Sequence, residues 1–272
     1  MTGVGSMGTG DSDPAGGAPC GVLLDLGGVL YVGNEPLPGA VEALGRLRRL
    51  GIPLRFVTNT SRRPRRQLVA DLRAMGFDIE AEELFTAPLA ARGWLEREGL
   101  RAWPLVEPAL LEDLEGVTAG ESPGAVLVGD APSQFDYARL NRAFRFLMAG
   151  ARLVAVGRNR YFREAGGLSL DAGPFVAALE YAAGVEAVIT GKPAPAFFHE
   201  GVAALGCAPG TVWMVGDDVE ADVLGATAAG LQAVLVRTGK YRPGDERRLA
   251  DTAASVVEDF PAAVDALGRA LA

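Results

Sequence analysis

The sequence predicts an α/β fold: a Rossmann-like, doubly wound parallel sheet as the core, with an inserted α/β cap domain. Two observations predict it. Short apolar runs at 22–24, 54–57, 211–215 and 233–236 alternate with stretches of helical periodicity, the pattern of parallel strands joined by crossover helices. The long stretch between the first pair of runs and the second carries a strand–helix alternation of its own.

The elements follow in order. Residues 1–19 are rich in Gly, Ser, Asp and Pro, lack apolar periodicity and read as a disordered tail. Gly3, Gly5 and Gly8 have GxGxxG spacing, but no strand precedes them and no helix pattern follows, so the dinucleotide motif is accidental. Residues 22–24 form a strand buried on both faces that ends at Asp25. After a Gly-rich turn, a helix over 38–50 presents Val41, Leu44 and Leu47 on one side. The strand at 54–57 ends at Thr58-Asn59. The helix after it buries Leu68, Val69 and Leu72 and exposes Arg62, Arg63, Arg65 and Arg66. The pattern resumes with a strand at 211–215 running into Gly216-Asp217-Asp218, a helix over 221–230 and a strand at 233–236. The core is thus expected in 20–83 and 187–272, and the α/β cap in 84–186. Within the cap, helices are expected over 87–98, 135–148 and 174–183, and strands over 103–106, 124–128 and 153–156.

Composition narrows the function classes. The chain has 272 residues and a formal charge of −8, from 26 Lys and Arg against 34 Asp and Glu. Such a balance disfavours a general binder of nucleic acid or of an anionic membrane, and leaves room for a local basic pocket around one phosphate. No apolar stretch reaches the roughly 20 residues of a spanning helix, and the N-terminus lacks a signal-peptide pattern. The expectation is a soluble protein of the reducing cytoplasm, with Cys20 and Cys207 as two buried thiols in preference to the alternative, a disulfide between them. Without a Cys/His cluster there is no thiolate zinc site. The single histidine, His199, excludes chemistry that needs two, and is read as structural.

The polar residues at strand ends carry the chemistry. The carboxyl ends of parallel strands line the ligand crevice, so Asp25, Thr58, Asn59 and Asp217 converge although far apart in sequence. Carboxylates gathered in one place repel unless a cation lies between them. Hard oxygen ligands suit Mg²⁺, which takes one or two carboxylates plus phosphate oxygens. A carboxylate also attacks phosphorus to give an acyl phosphate. The phosphoryl group in transfer needs positive charge and hydrogen-bond donors, which Mg²⁺, Lys192, the Thr58 hydroxyl and the Asn59 amide would supply.

Asp25-Leu26-Gly27-Gly28-Val29-Leu30, Val57-Thr58-Asn59, Gly191-Lys192-Pro193 and Gly216-Asp217-Asp218 with Asp222 resemble the four ordered motifs of the haloacid dehalogenase superfamily. The inserted module resembles its subclass with a large α/β cap (class II). Within that subclass, residues 20–267 look most like the phospholysine phosphohistidine inorganic pyrophosphate phosphatase group. The resemblance implies a Mg²⁺-dependent phosphatase working through an aspartyl phosphate on small phosphorylated substrates. Asp25 would be nucleophile and metal ligand, and the Gly27 carbonyl and Asp217 further ligands. Asp25, Leu26, Gly27, Thr58, Asn59 and Lys192 would hold substrate, and Asp218 and Asp222 would support. Most such phosphatases have a second Asp two residues after the nucleophile as general acid and base; here it is Gly27. That absence points to P–N or pyrophosphate bonds, whose leaving groups need an enzyme acid less. The alternative is a catalytically weak Mg²⁺ and phosphoester-binding protein. A phosphoacceptor signalling domain fits less well, because its acidic pair precedes the acceptor. Arg158, Arg160 and Tyr161 fall in a cap loop that would face the site, and caps of this kind imply a possible homodimer.

Overall fold

The computed structural model describes residues 18–164 and 167–272. The expected tail, apart from Ala18 and Pro19, lies outside the described residues, as do the three glycines of its GxGxxG spacing. The described chain begins with β1 (Gly21–Asp25) and a small hairpin of β2 (Tyr31–Val32) and β3 (Glu35–Pro36), then α1 (Ala40–Arg49), β4 (Leu54–Thr58), α2 (Arg65–Ala74), β5 (Leu84–Thr86) and α3 (Ala87–Arg97). The middle of the chain gives β6 (Ala102–Leu105), β7 (Ala125–Val128), α4 (Tyr137–Met148), β8 (Arg152–Ala155), the hairpin β9 (Tyr161–Glu164) and β10 (Gly167–Leu170), α5 (Gly173–Ala183) and β11 (Val188–Ile189). It then returns through α6 (Pro195–Leu205), β12 (Val212–Gly216), α7 (Gly225–Ala228), β13 (Gln232–Val236), β14 (Ser255–Val257) and α8 (Phe260–Leu271).

Two parallel sheets organise these elements. The larger has the order β14-β13-β12-β1-β4-β5 and the smaller β11-β8-β7-β6. Leu84–Thr86, just past the expected boundary at 83, pairs in the larger sheet, and Val188–Ile189, just past 186, pairs in the smaller.

Strand periodicity sorts the core into two layers. Val22, Leu24, Phe56, Trp213, Val215, Val234 and Val236 pack on α1, α2 and α8. Their neighbours Leu23, Val57, Met214 and Leu235 face the other way, towards α3 and α6. That second layer is continuous with one face of the smaller sheet through Ala102, Ala125, Leu127 and Val154. The opposite face of the smaller sheet is covered by α4 and α5, through Ala143, Leu147, Val176 and Leu179. Helix α8 closes the outside of the core, burying Phe260, Ala263, Val264 and Leu267 at i, i+3, i+4 and i+7. Its N-cap is Asp259, whose Oδ1 accepts from the Ala262 amide at 2.9 Å. Asp259→Ala is expected to lower stability by about 1 kcal/mol, read as a shift of the urea midpoint at constant m-value.

Three expectations need correction. Cys20 and Cys207 are not two buried thiols but a disulfide, with Cα atoms 6.0 Å apart. Cys20 is exposed and Cys207 half-buried, since each stands just outside a buried element, before β1 and after α6. The two arginines 62 and 63 do not lie on an exposed helix face, because α2 starts only at Arg65 after Pro64. Arg62 instead reaches Asp130 in the 129–131 loop, Nε to Oδ2 at 2.5 Å, while Arg63 pairs with Asp71 at 2.6 Å. Tyr161, expected in a loop, is the first residue of strand β9.

Candidate active site

β1, β4 and β12 are neighbours in register, Leu24 opposite Phe56 and Val215. All three therefore end at one edge of the sheet, which brings Asp25, Thr58 and Asp217 to a common crevice. The loop before α6 adds Lys192, and the first helical turns after β12 add Asp218 and Asp222.

Asp25, Asp217 and Asp222 are all buried, and each presents a carboxylate oxygen within 4.8 Å of those of the other two. Lys192, only 4% exposed, holds two of them: its Nζ donates to Asp25 Oδ1 at 2.5 Å and to Asp222 Oδ1 at 2.6 Å. Burial opposes charge on this ammonium, but Asp222 and Asp25 outweigh it and raise its pKa above the usual lysine value. Lys192 is thus a fixed cation between two fixed anions. Its loop is clamped by Asn59, whose Oδ1 accepts from the Lys192 amide and whose Nδ2 donates to the Lys192 carbonyl, both at 2.8 Å. The Asn59 side chain therefore positions Lys192. Thr58 is buried, and its Oγ1 accepts from the Thr60 amide at 3.1 Å.

Asp222 has a supporting geometry. Beside Lys192 it accepts from the amides of Asp217 and Asp218 through Oδ2, at 3.2 and 3.1 Å. Asp218 caps the π-helical turn Val219–Leu224, its Oδ1 accepting from the Glu220 and Ala221 amides. Asp217 is the residue under most electrostatic stress. Burial, then the charges of Asp25 and Asp222, push its carboxyl up to about 8. A divalent cation among the three carboxylates relieves that repulsion, so the donor set fits a hard metal ion.

Two glycines make the Asp217 position possible, and sequence reading assigned neither a role. A Cβ on Gly28, where φ is +80°, would overlap Asp217 Oδ2 and stand 2.9 Å from Gly239 Cα. A Cβ on Gly239, at φ +61°, would overlap the same oxygen. Asp217 lies between these two bare backbones and accepts from the Lys240 amide at 2.7 Å. The glycines themselves were the available signal, but nothing in sequence says that residues 28 and 239 meet. Gly27, by contrast, is exposed, and a Cβ there would meet nothing within 4 Å. Leu26 is fully buried beneath this turn.

The smaller-sheet unit meets the loop after β4. Asp130 accepts from Arg62, and its amide donates to Ser61 Oγ at 2.9 Å. Arg62 also lies 4.4 Å from the Phe162 ring centroid, on the β9–β10 hairpin. Arg158 is tied to Glu180 at 2.5 Å, and Arg160 lies over the Tyr161 ring. His199 contacts the Ala229 carbonyl at 3.1 Å and is remote from the carboxylates in the bonding network.

A buried carboxylate, a captive lysine and an acidic cluster at the carboxyl edge of a parallel sheet, with an inserted α/β unit, fit a capped phosphatase, and the chain belongs to the haloacid dehalogenase-like hydrolase family. The family profile matches residues 22–119, and a second one, HAD-hydrolase-like, matches residues 189–263. Among particular proteins, the chain is 44% identical over 244 residues to human haloacid dehalogenase-like hydrolase domain-containing protein 2, covering 90% of this chain and 94% of that one. It is 42% identical over 253 residues to phospholysine phosphohistidine inorganic pyrophosphate phosphatase of Xenopus laevis, covering 90% and 93%. Among solved structures, p-nitrophenyl phosphatase from Archaeoglobus fulgidus superposes with a TM-score of 0.85 at 27% identity, over 92% of this chain and 99% of that one. The 4-nitrophenylphosphatase from Thermotoga maritima gives 0.84 at 27% identity, over 92% and 97%.

Proposed function

We propose that this phosphatase is Mg²⁺-dependent, works through an aspartyl phosphate on Asp25, and favours P–N or pyrophosphate bonds over alkyl esters. The observation that carries the reading is the meeting of Asp25, Asp217 and Asp222 oxygens within 4.8 Å, with Lys192 Nζ on two of them. Asp25 Oδ1 is held by Lys192, which leaves Oδ2 to attack phosphorus in line. The P–O or P–N bond to the leaving group breaks, and that group takes the electron pair. Water then attacks the acyl phosphate, releasing phosphate and restoring Asp25. Asp25, Asp217 and the Gly27 carbonyl would hold Mg²⁺, which when bound supplies positive charge to the phosphoryl oxygens. Lys192 neutralises the same group from the buried side. Phosphate release measured over P–O, P–N and P–O–P substrates, with and without Mg²⁺, tests this; release that persists in Asp25→Asn would sink it.

The missing side chain at Gly27 supports the bond preference. Without a side chain this position supplies no carboxylic acid for an alkoxide leaving group, whereas a phosphoramidate nitrogen is protonated before attack and a phosphate leaves without help. It equally supports a second reading, a Mg²⁺ and phosphoester binder with little turnover. A substitution at Gly27 distinguishes them, because a Cβ there meets nothing within 4 Å. Gly27→Asp is expected to raise kcat/KM for an alkyl phosphate by about 10²-fold, the lower end of general acid–base contributions. Steady-state rates on glycerol phosphate would show it; an unchanged rate would mean that proton transfer does not limit the enzyme.

A pH dependence follows from Asp217. Its folded-state pKa of about 8 lies above the ordinary carboxylate value of 3.8. Between those values the metal-free folded state keeps a proton that the unfolded chain has lost. Stability of the metal-free protein should therefore fall as pH rises through this window and level off above it. Bound Mg²⁺ would compete with that proton for the Asp217 carboxylate, so the rise in Tm on adding MgCl₂ should be larger at pH 8.5 than at pH 6. Equal shifts at both pH values would contradict a site built on Asp217.

A further inference from the structure

The chain's Lys and Arg residues total 26, and only two of them, Lys192 and Lys240, are lysines. Every other cationic side chain is a guanidinium, including all those on exposed helix faces and in surface ion pairs. Both lysines stand at one cluster of four carboxylates, each holding a different pair. Lys192 takes Asp25 and Asp222, while Lys240 donates its amide to Asp217 and its Nζ to Asp218 Oδ2 at 3.1 Å. Arginine and lysine are not interchangeable where a compact, rotatable point charge is needed, and this chain has kept the ammonium only where it meets the acidic cluster.

The two lysines differ in freedom. The Lys192 side chain is 4% exposed and pinned between two anions, whereas that of Lys240 is 60% exposed and bound to Asp218 alone. The Lys240 backbone is fixed by the Asp217 contact, so the side chain can swing while its root stays at the site. Attack by Asp25 from the end of a buried strand is in line, so the leaving group departs away from the sheet, towards solvent. Lys240 is exposed and rooted beside Asp217, so its ammonium can reach an anion that enters the crevice from solvent.

We infer that Lys240 is a specificity residue: its ammonium leaves Asp218 to bind negative charge on the leaving group, selecting substrates in which a second phosphoryl or comparable anion flanks the scissile bond. The inference deepens the proposed preference for pyrophosphate-type bonds and rests on it. Lys192 then serves the phosphoryl group being transferred and Lys240 the one being released. Asp218 is the resting partner that holds Lys240 in place until an anion replaces it.

Two experiments test this independently. In the first, the wild-type protein is treated with an amine-acylating reagent, and modification of Lys240 is read by peptide mass spectrometry. Lys192 is buried and serves as the internal reference. Methylenediphosphonate with Mg²⁺ should slow acylation of Lys240 about tenfold, while methylphosphonate, which offers only one phosphoryl group, should leave it faster than the diphosphonate does. Equal effects of the two phosphonates would overturn the inference. In the second, Lys240→Gln should lower the ratio of kcat/KM for pyrophosphate to that for p-nitrophenyl phosphate by about 10- to 100-fold, the worth of one charge-assisted hydrogen bond. Lys240→Arg should recover part of the ratio. A ratio unchanged in Lys240→Gln would also overturn it. If wild type released no phosphate from any substrate, the proposed catalysis would fail, and the acylation result alone would decide whether Lys240 binds the second anion.

Discussion

Replacing Lys192 with methionine should lower kcat by about 10³-fold and cost about 3–5 kcal/mol of stability. The first effect follows from the contact with Asp25. The Lys192 ammonium holds Oδ1 of that carboxylate at 2.5 Å, and no other cation touches it among the described residues. In the proposed mechanism, removing it would leave the phosphoryl oxygens without charge on their buried side. The second effect arises because Asp25 and Asp222 would remain as buried anions facing Asp217, with nothing between them. Methionine fills similar space, so the loss would be electrostatic rather than a cavity. Steady-state phosphate release reads the first effect and urea unfolding the second. Mg²⁺ should return part of the stability, because it supplies positive charge to the same carboxylates, but not the rate. A variant as stable as wild type without metal would show that Lys192 is not the counterion this packing implies.

Gly28→Ala and Gly239→Ala should each abolish metal-dependent turnover, by about 10²-fold or more, through displacement of Asp217. Either Cβ would occupy the place of Asp217 Oδ2, and each residue has a positive φ that costs a non-glycine residue about 1–2 kcal/mol. The carboxylate would have to leave its bond to the Lys240 amide and move away from Asp25. The informative readout is the Mg²⁺-induced rise in Tm, which should vanish along with activity. Retention of that rise in either variant would show that the metal does not need Asp217 in this position. Gly27, one residue earlier, lacks the constraint, which makes the pair a test of position rather than of glycine content.

Much of this architecture was legible along the chain. Apolar runs ending in Asp25, Thr58 and Asp217 announce parallel strands with a polar edge, and parallel strands in register carry those ends to one crevice. Lys192 was legible because a Gly-Lys-Pro turn sits just ahead of a helix. The short edge strands β5 and β14, of three residues each, and the β9–β10 hairpin were not. Runs of two or three residues have no periodicity to read, and their strand state comes from the neighbour they pair with. Asn59 shows a subtler limit. Its residue type suits a phosphate contact, and only the fold reveals that both ends of its amide are bound to the backbone of Lys192.

By itself the sequence determined which residue types stand at strand ends, and so the carboxylates of the site and Lys192 but not Lys240, because side-chain chemistry and strand periodicity are local properties. Tertiary structure decided which of these groups share a charge: Lys192 between Asp25 and Asp222, Asp217 between Gly28 and Gly239, Lys240 on Asp218, and Cys20 bonded to Cys207. Those pairings span long stretches of chain, and electrostatic energy depends on distance in space. A carboxylate pushed up to about 8 exists only once folding has removed its water and brought two like charges beside it.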